Sequence, residues 1–152
     1  GEYRAHMLFR AIPDAKPVES GAGRKDGVSI ALTPIYGVTI PIIVRQGSLA
    51  ASAAIANPRI LREKEGPALA FTLSRSGSRS VYGQIRITKP GIAKPVFEVR
   101  GIAVYAEIPE RTVKLAIPED MVAVLTGPVK IEYVEDNEAG GGTMASLDAV
   151  IR

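Results

Sequence analysis

The chain has 152 residues and a mass of 16.1 kDa, the size of one medium domain or one domain with a fragment. Hydrophobic residues at 46% and charged residues at 23% exclude a disordered tail and a coiled coil. With no Cys and one His, the sequence excludes disulfides, thiol catalysis, thiolate metal sites and any site needing two His from one chain.

The net charge of +3 is mild, the Lys and Arg are scattered, and aromatics are only 5%, so no nucleic-acid partner is expected. No uncharged run reaches the roughly 20 residues of a membrane helix, so no membrane insertion is expected. Val plus Ile number 30 against 9 Leu. Branching at Cβ restricts χ1 and suits a pleated sheet. With 15 Gly and 11 Pro dividing the chain, the composition predicts an all-β protein of many short strands.

In chain order, Tyr3 to Ile12 reads as a strand with Tyr3, Ala5, Met7, Phe9 and Ala11 on one face. A loop rich in Gly and Pro follows. From Val28 to Arg45 every even position is apolar: Val28, Ile30, Leu32, Pro34, Tyr36, Val38, Ile40, Ile42 and Val44. This period of two predicts a long strand. Pro34 and Pro41 lack the N–H of a central strand, so part of the segment is expected at an edge or a bend. A long edge strand with an apolar face is a template for another chain.

The remaining hundred or so residues read as a complete small β domain. Strands are expected at Leu49–Ala56 (stopped by Asn57-Pro58), Ala68–Arg75, Val81–Thr88, Val96–Ile108 as a longer or bulged pair, and Thr112–Ile117. Pro118-Glu119-Asp120 predicts one helical turn through Leu125. Val129–Val134 and Met144–Ile151 form a final hairpin, joined by an acidic, Gly-rich and mobile Glu135–Gly142. Seven strands at this spacing predict an immunoglobulin-like β-sandwich.

No catalytic constellation emerges. His6 has no partner set for a triad. Gly21 to Gly27 lacks the Gly-Lys-Ser/Thr of a phosphate loop and leads into a strand. Gly140-Gly141-Gly142 reads as a turn. The Arg/Ser tract Ser74 to Ser80 reads as a turn, with an anion or RNA contact as the alternative. Glu107 with Glu110, and Glu119 with Asp120, read as solvated surface. The expectation is a non-enzyme with no cofactor and no metal site.

Two blocks resemble the periplasmic fimbrial (pilus-assembly) chaperone family in its distant bacterial form. Tyr3 to Pro13 is similar to that family's strand before a long loop. Tyr36-Gly37-Val38-Thr39-Ile40-Pro41-Ile42-Ile43-Val44-Arg45 is similar to the last strand of its first domain. The remainder fits the family's second domain in length and strand count. The resemblance departs at Pro41, near where better-known members carry a Lys that anchors the subunit carboxylate. It implies that residues 1–46 are the last two strands of an incomplete N-terminal immunoglobulin-like domain, and 47–152 the C-terminal sandwich.

It also implies a function: capping pilus or surface-fibre subunits by lending them an edge strand. Val28, Ile30 and Leu32 match the donated row, and Arg45 joins them as a subunit-binding residue. The implied partners are a fibre subunit and an outer-membrane usher, in the periplasm. The unpaired edge predicts that residues 1–46 are completed by another chain, as a homodimer or strand swap. The alternative is a structural or adhesion-type module that donates nothing.

Overall fold

The computed structural model describes residues 1–13 and 34–152. The chain forms two compact units, Gly1–Glu2 with Arg45–Arg152, and Tyr3–Val44. Strands β1 (Glu2–Arg10) and β2 (Gly37–Arg45) pair as a two-stranded sheet. Of the long strand expected from residue 28, Pro34 to Tyr36 carry no regular structure, and the ladder begins at Gly37.

The larger unit contains β3 (Ala51–Glu63), β4 (Gly66–Gly77), β5 (Val81–Thr88), β6 (Phe97–Val104) and β7 (Glu110–Ala116). The short helix α1 (Glu119–Leu125) leads on to β8 (Gly127–Glu135) and β9 (Gly142–Ile151). One sheet has the order β3-β4-β7 and the other β6-β5-β8-β9. All pairings in both sheets are antiparallel. This is an immunoglobulin-like sandwich of seven strands in which the fourth, β6, edges the second sheet.

Alternation builds the core. Leu69, Phe71 and Leu73 on β4 are fully buried together with Val81, Ile85 and Ile87 on β5 and Ile131 and Tyr133 on β8. Successive strand residues point to opposite faces, so these alternate positions fill the space between the sheets. Gly101 (φ 79) supplies the extra residue of a bulge, because Gly83 pairs with Ile102 while Gln84 pairs with Arg100. Helix α1 begins after Pro118 with Glu119 and Asp120 in its first turn, where acids suit the dipole, and buries Leu125.

One expectation is corrected. Asn57-Pro58 does not end the first strand of the sandwich. Ala56 pairs with Thr72 and Arg59 with Ala70, so two β3 residues oppose one on β4. Asn57 tolerates the left-handed φ of 53 that this bulge needs, and Pro58 sits on an edge strand where a missing N–H is tolerated. The Glu135–Gly142 connection, expected as a mobile run, contains a 3₁₀ turn at Asn137–Ala139, and the Gly141 N–H bonds the Asp136 carbonyl at 3.0 Å.

The buried Tyr133 hydroxyl donates to the Ile102 carbonyl at 2.9 Å, joining β8 to β6. Burial pushes its pKa up, with the Glu135 carboxylate adding to the shift. Tyr133→Phe is expected to cost about 1–2 kcal/mol, because a buried carbonyl loses its donor. Urea unfolding of the two proteins measures this. A difference near zero would mean that the carbonyl finds another partner.

Candidate partner-binding ribbon and a polar cluster of the larger unit

The β1–β2 ladder, whose Glu2 and Arg45 ends fall in the larger unit, has one register along its length. Gly1 and Gln46 exchange hydrogen bonds at 2.6 and 2.9 Å, and the Ala11 N–H bonds the Tyr36 carbonyl at 2.9 Å. The strands are therefore antiparallel, with Tyr3 opposite Val44, Ala5 opposite Ile42, Met7 opposite Ile40 and Phe9 opposite Val38. These eight residues share one face, because directly opposed residues point the same way. All except Ile42 are exposed: Tyr3 is 64% accessible, Phe9 53% and Val38 60%. The opposite face bears Arg4, His6, Leu8 and Arg10 across from Ile43, Pro41, Thr39 and Gly37.

The ladder also explains how β2 contains a proline. Bonded pairs alternate with non-bonded ones. Tyr36 is a bonded position, so Gly37, Thr39, Pro41 and Ile43 turn their backbone groups away from β1. The nitrogen of Pro41 thus lies on the outer edge of β2, and the inner ladder loses nothing.

Arg45 and Glu2 belong to the larger unit. The Arg45 Nε donates to Glu2 Oε2 at 2.9 Å, and its Nη2 reaches the Ser80 carbonyl at 3.4 Å. The Glu2 side chain, 3% exposed, also accepts from the Ser80 N–H at 3.0 Å and from the Ser80 hydroxyl. The same hydroxyl oxygen accepts from the Ala106 N–H at 2.9 Å. Burial acts to raise the pKa of Glu2, but the Ser80 hydroxyl, Arg45 and the Ser80 N–H outweigh it and hold the carboxyl below the usual range.

A lowered native pKa gives stability that is present above the ordinary Glu value of about 4.3. That stability is lost as pH falls through the native value. Urea unfolding against pH should show Glu2→Gln less stable than the parent near neutrality, with the gap closing in acid. A gap independent of pH would contradict this role for the carboxylate.

The sequence-expected row Val28, Ile30 and Leu32 lies outside the described residues. Arg45 is placed, and its guanidinium is engaged by Glu2 and Ser80 within the larger unit. Sequence reading missed Glu2, Ser80 and the pair formed by Arg79 and Glu135, because the members of each contact are far apart in the chain.

The Arg/Ser tract is structural in its Arg residues. The Arg75 guanidinium donates to the carbonyls of Tyr105 and Ile108 at 3.2 Å, Gly77 at 2.9 Å, Arg79 at 3.0 Å and Ala106 at 2.8 Å. It ties the turn after β4 to the loop after β6. Arg79 forms a two-pronged pair with Glu135, one bond of 3.0 Å and a second between Nη1 and Oε1.

Among the described residues, no group of three or more His, Asp and Glu is placed to hold a metal ion. No helix among them is long and apolar enough to cross a membrane. No family model, curated protein or solved structure matches the chain.

Proposed function

We propose that this chain binds a β-rich partner protein by strand addition, as a periplasmic chaperone of pilus or surface-fibre subunits. The supporting observation is the β1–β2 ribbon, which presents one continuous apolar face with Tyr3, Met7, Phe9, Val38, Ile40 and Val44 exposed. A two-stranded ribbon is marginal in water on its own. Covering it would contribute roughly 1.5–3 kcal/mol for each large apolar side chain fully buried, before the cost of ordering. In this reading Val28, Ile30 and Leu32 are the residues that bind the subunit. Arg45 stands at the root of the strand. The activity is binding and capping, with no chemical step.

The test is co-expression in a bacterial periplasm with the fibre subunit encoded nearest the gene. The expected result is a 1:1 complex that survives purification. Ile30→Asp and Ile40→Asp should each remove it without changing the melting temperature of the sandwich. A complex that tolerates both substitutions would refute strand addition by this segment. No complex with any neighbouring subunit, with the sandwich intact, would favour the structural or adhesion-type module.

A further inference from the structure

The four-stranded sheet of the larger unit carries a polar groove on its outer face. Tyr82, Gln84 and Arg86 alternate on β5 with the core residues Val81, Ile85 and Ile87, so they point away from the core. One cross-strand row runs Arg100, Gln84, Val134 and Thr143 over β6, β5, β8 and β9.

Both ends of this row meet a bulge. Gly101 is the extra residue on β6. Met144 is the extra residue on β9, since Tyr133 pairs with Ala145 and Val134 with Thr143. Bulges bend a strand and re-aim its side chains. At this level a groove of about 660 Å³ opens, with Tyr82, Gln84 and Arg100 from the sheet and Asp136, Asn137 and Glu138 from the turn after β8.

Gln84 is the unusual member. It is only 8% exposed, yet its amide has no hydrogen-bond partner among the described residues. Native structures leave few buried polar groups unbonded. No fully enclosed polar side-chain atom among those residues is unpaired. The Gln84 amide therefore opens onto the groove, with a donor and an acceptor both unused.

The charges narrow the occupant. Arg86 and Arg100 both face the Glu98 carboxylate, at 3.1 and 3.6 Å, so the groove's guanidinium groups are already neutralised and an anion gains little. Asp136 and Glu138 stand outside any ion pair among the described residues and accept readily from O–H donors. Tyr82, 41% exposed, offers an aromatic ring beside these polar groups.

We propose that this groove binds a neutral oligosaccharide. A sugar hydroxyl both donates and accepts, which matches the two unused functions of the Gln84 amide. The apolar C–H face of a pyranose suits the Tyr82 ring. Asp136 and Asn137 take neighbouring hydroxyls. The site uses no ribbon residue and does not rest on the chaperone reading.

The test is an NMR titration of the full chain that follows side-chain amides. The probes are cellotetraose, chitotetraose, maltotetraose and mannotetraose, with spermidine as a linear cation for comparison. At least one saccharide is expected to give saturable shifts at the Gln84 and Asn137 amides, with β3 and β7 unmoved.

Gln84→Met keeps the length of the side chain and removes the amide. It should weaken binding about tenfold, the effect of one lost hydrogen bond. Its melting temperature should not fall, because the free protein loses no bond. Tyr82→Ala should weaken binding at least as much. Should Tyr82→Ala disturb the sheet, Gln84→Met still decides the matter.

Saturation by none of the saccharides, or binding unchanged by Gln84→Met, would overturn the proposal. Shifts with spermidine and with no saccharide would also overturn it, and would make the two carboxylates the determinant of a cation site.

Discussion

Gly83→Ala is expected to destabilise the sandwich by about 4 kcal/mol or to prevent its folding. Gly83 lies on β5 between two partners, pairing with Ile102 on β6 and Glu135 on β8. A Cβ at this position would stand 2.1 Å from the Val134 carbonyl oxygen and 2.9 Å from the Glu135 Cα. Both obstacles are backbone atoms of the neighbouring strand. No side-chain rotation relieves them, so the methyl group must push β5 and β8 apart at the centre of the four-stranded sheet.

The damage would spread, because Val81, Ile85, Ile131 and Tyr133 in the core sit on these same two strands. Urea unfolding of the purified variant, or its recovery in the soluble fraction, measures the effect. A loss below about 1 kcal/mol, the size of an ordinary surface change, would contradict the close approach.

The second large effect concerns Arg79 and Glu135. Their side chains are 14% and 3% exposed, so both charges are largely removed from water. Glu135→Ala leaves the Arg79 guanidinium with a hydrogen bond of 3.3 Å to the Ser80 carbonyl. Breaking a buried pair from one side costs about 3–5 kcal/mol, because the surviving charge loses its counter-ion without regaining water.

Replacing both partners by alanine should cost less than Glu135→Ala alone, since no charge is then stranded. The four proteins of this double-mutant cycle separate the two explanations. If the double variant is as unstable as Glu135→Ala, the loss reflects packing at Glu135 and not a stranded Arg79.

Gly140 supports the tight seating of this carboxylate. A Cβ there would come 2.8 Å from Glu135 Oε2, and its φ of 144 already disfavours other residues.

Much of the sandwich was legible because its strands obey the simplest pattern. Val81 to Thr88 alternates cleanly between turn signals, and its limits match the structure. The final hairpin and the helix through Leu125 were legible for similar reasons: an alternating apolar face in one case, Pro and acids at a helix start in the other.

Asn57-Pro58 misled because the same dipeptide that opens a turn also suits a bulge on an edge strand. Only the neighbouring strand decides between them.

The buried polar contacts were not legible at all. Glu2 and Ser80 are 78 positions apart, and Arg79 and Glu135 are 56 apart. Nothing local marks Glu135 as buried. It follows an alternating strand and opens an acidic run, which reads as solvated surface.

The ribbon lies between these cases. The alternation on β1 and β2 was visible separately. That their two apolar rows share one face follows only from the register, which the Gly1–Gln46 and Ala11–Tyr36 bonds set.

The central claim is that the apolar face of the ribbon is made to be covered by another protein. Amide hydrogen exchange, followed residue by residue in the free chain and in complex with a fibre subunit, tests it most directly. In the free chain, amides of β1 and β2 should exchange far faster than those of β4, β5 and β8, because an uncovered two-stranded ladder opens easily. Addition of the subunit should slow the ribbon selectively. Ribbon amides as protected as the sandwich core in the free monomer, and unchanged by any subunit, would contradict the account.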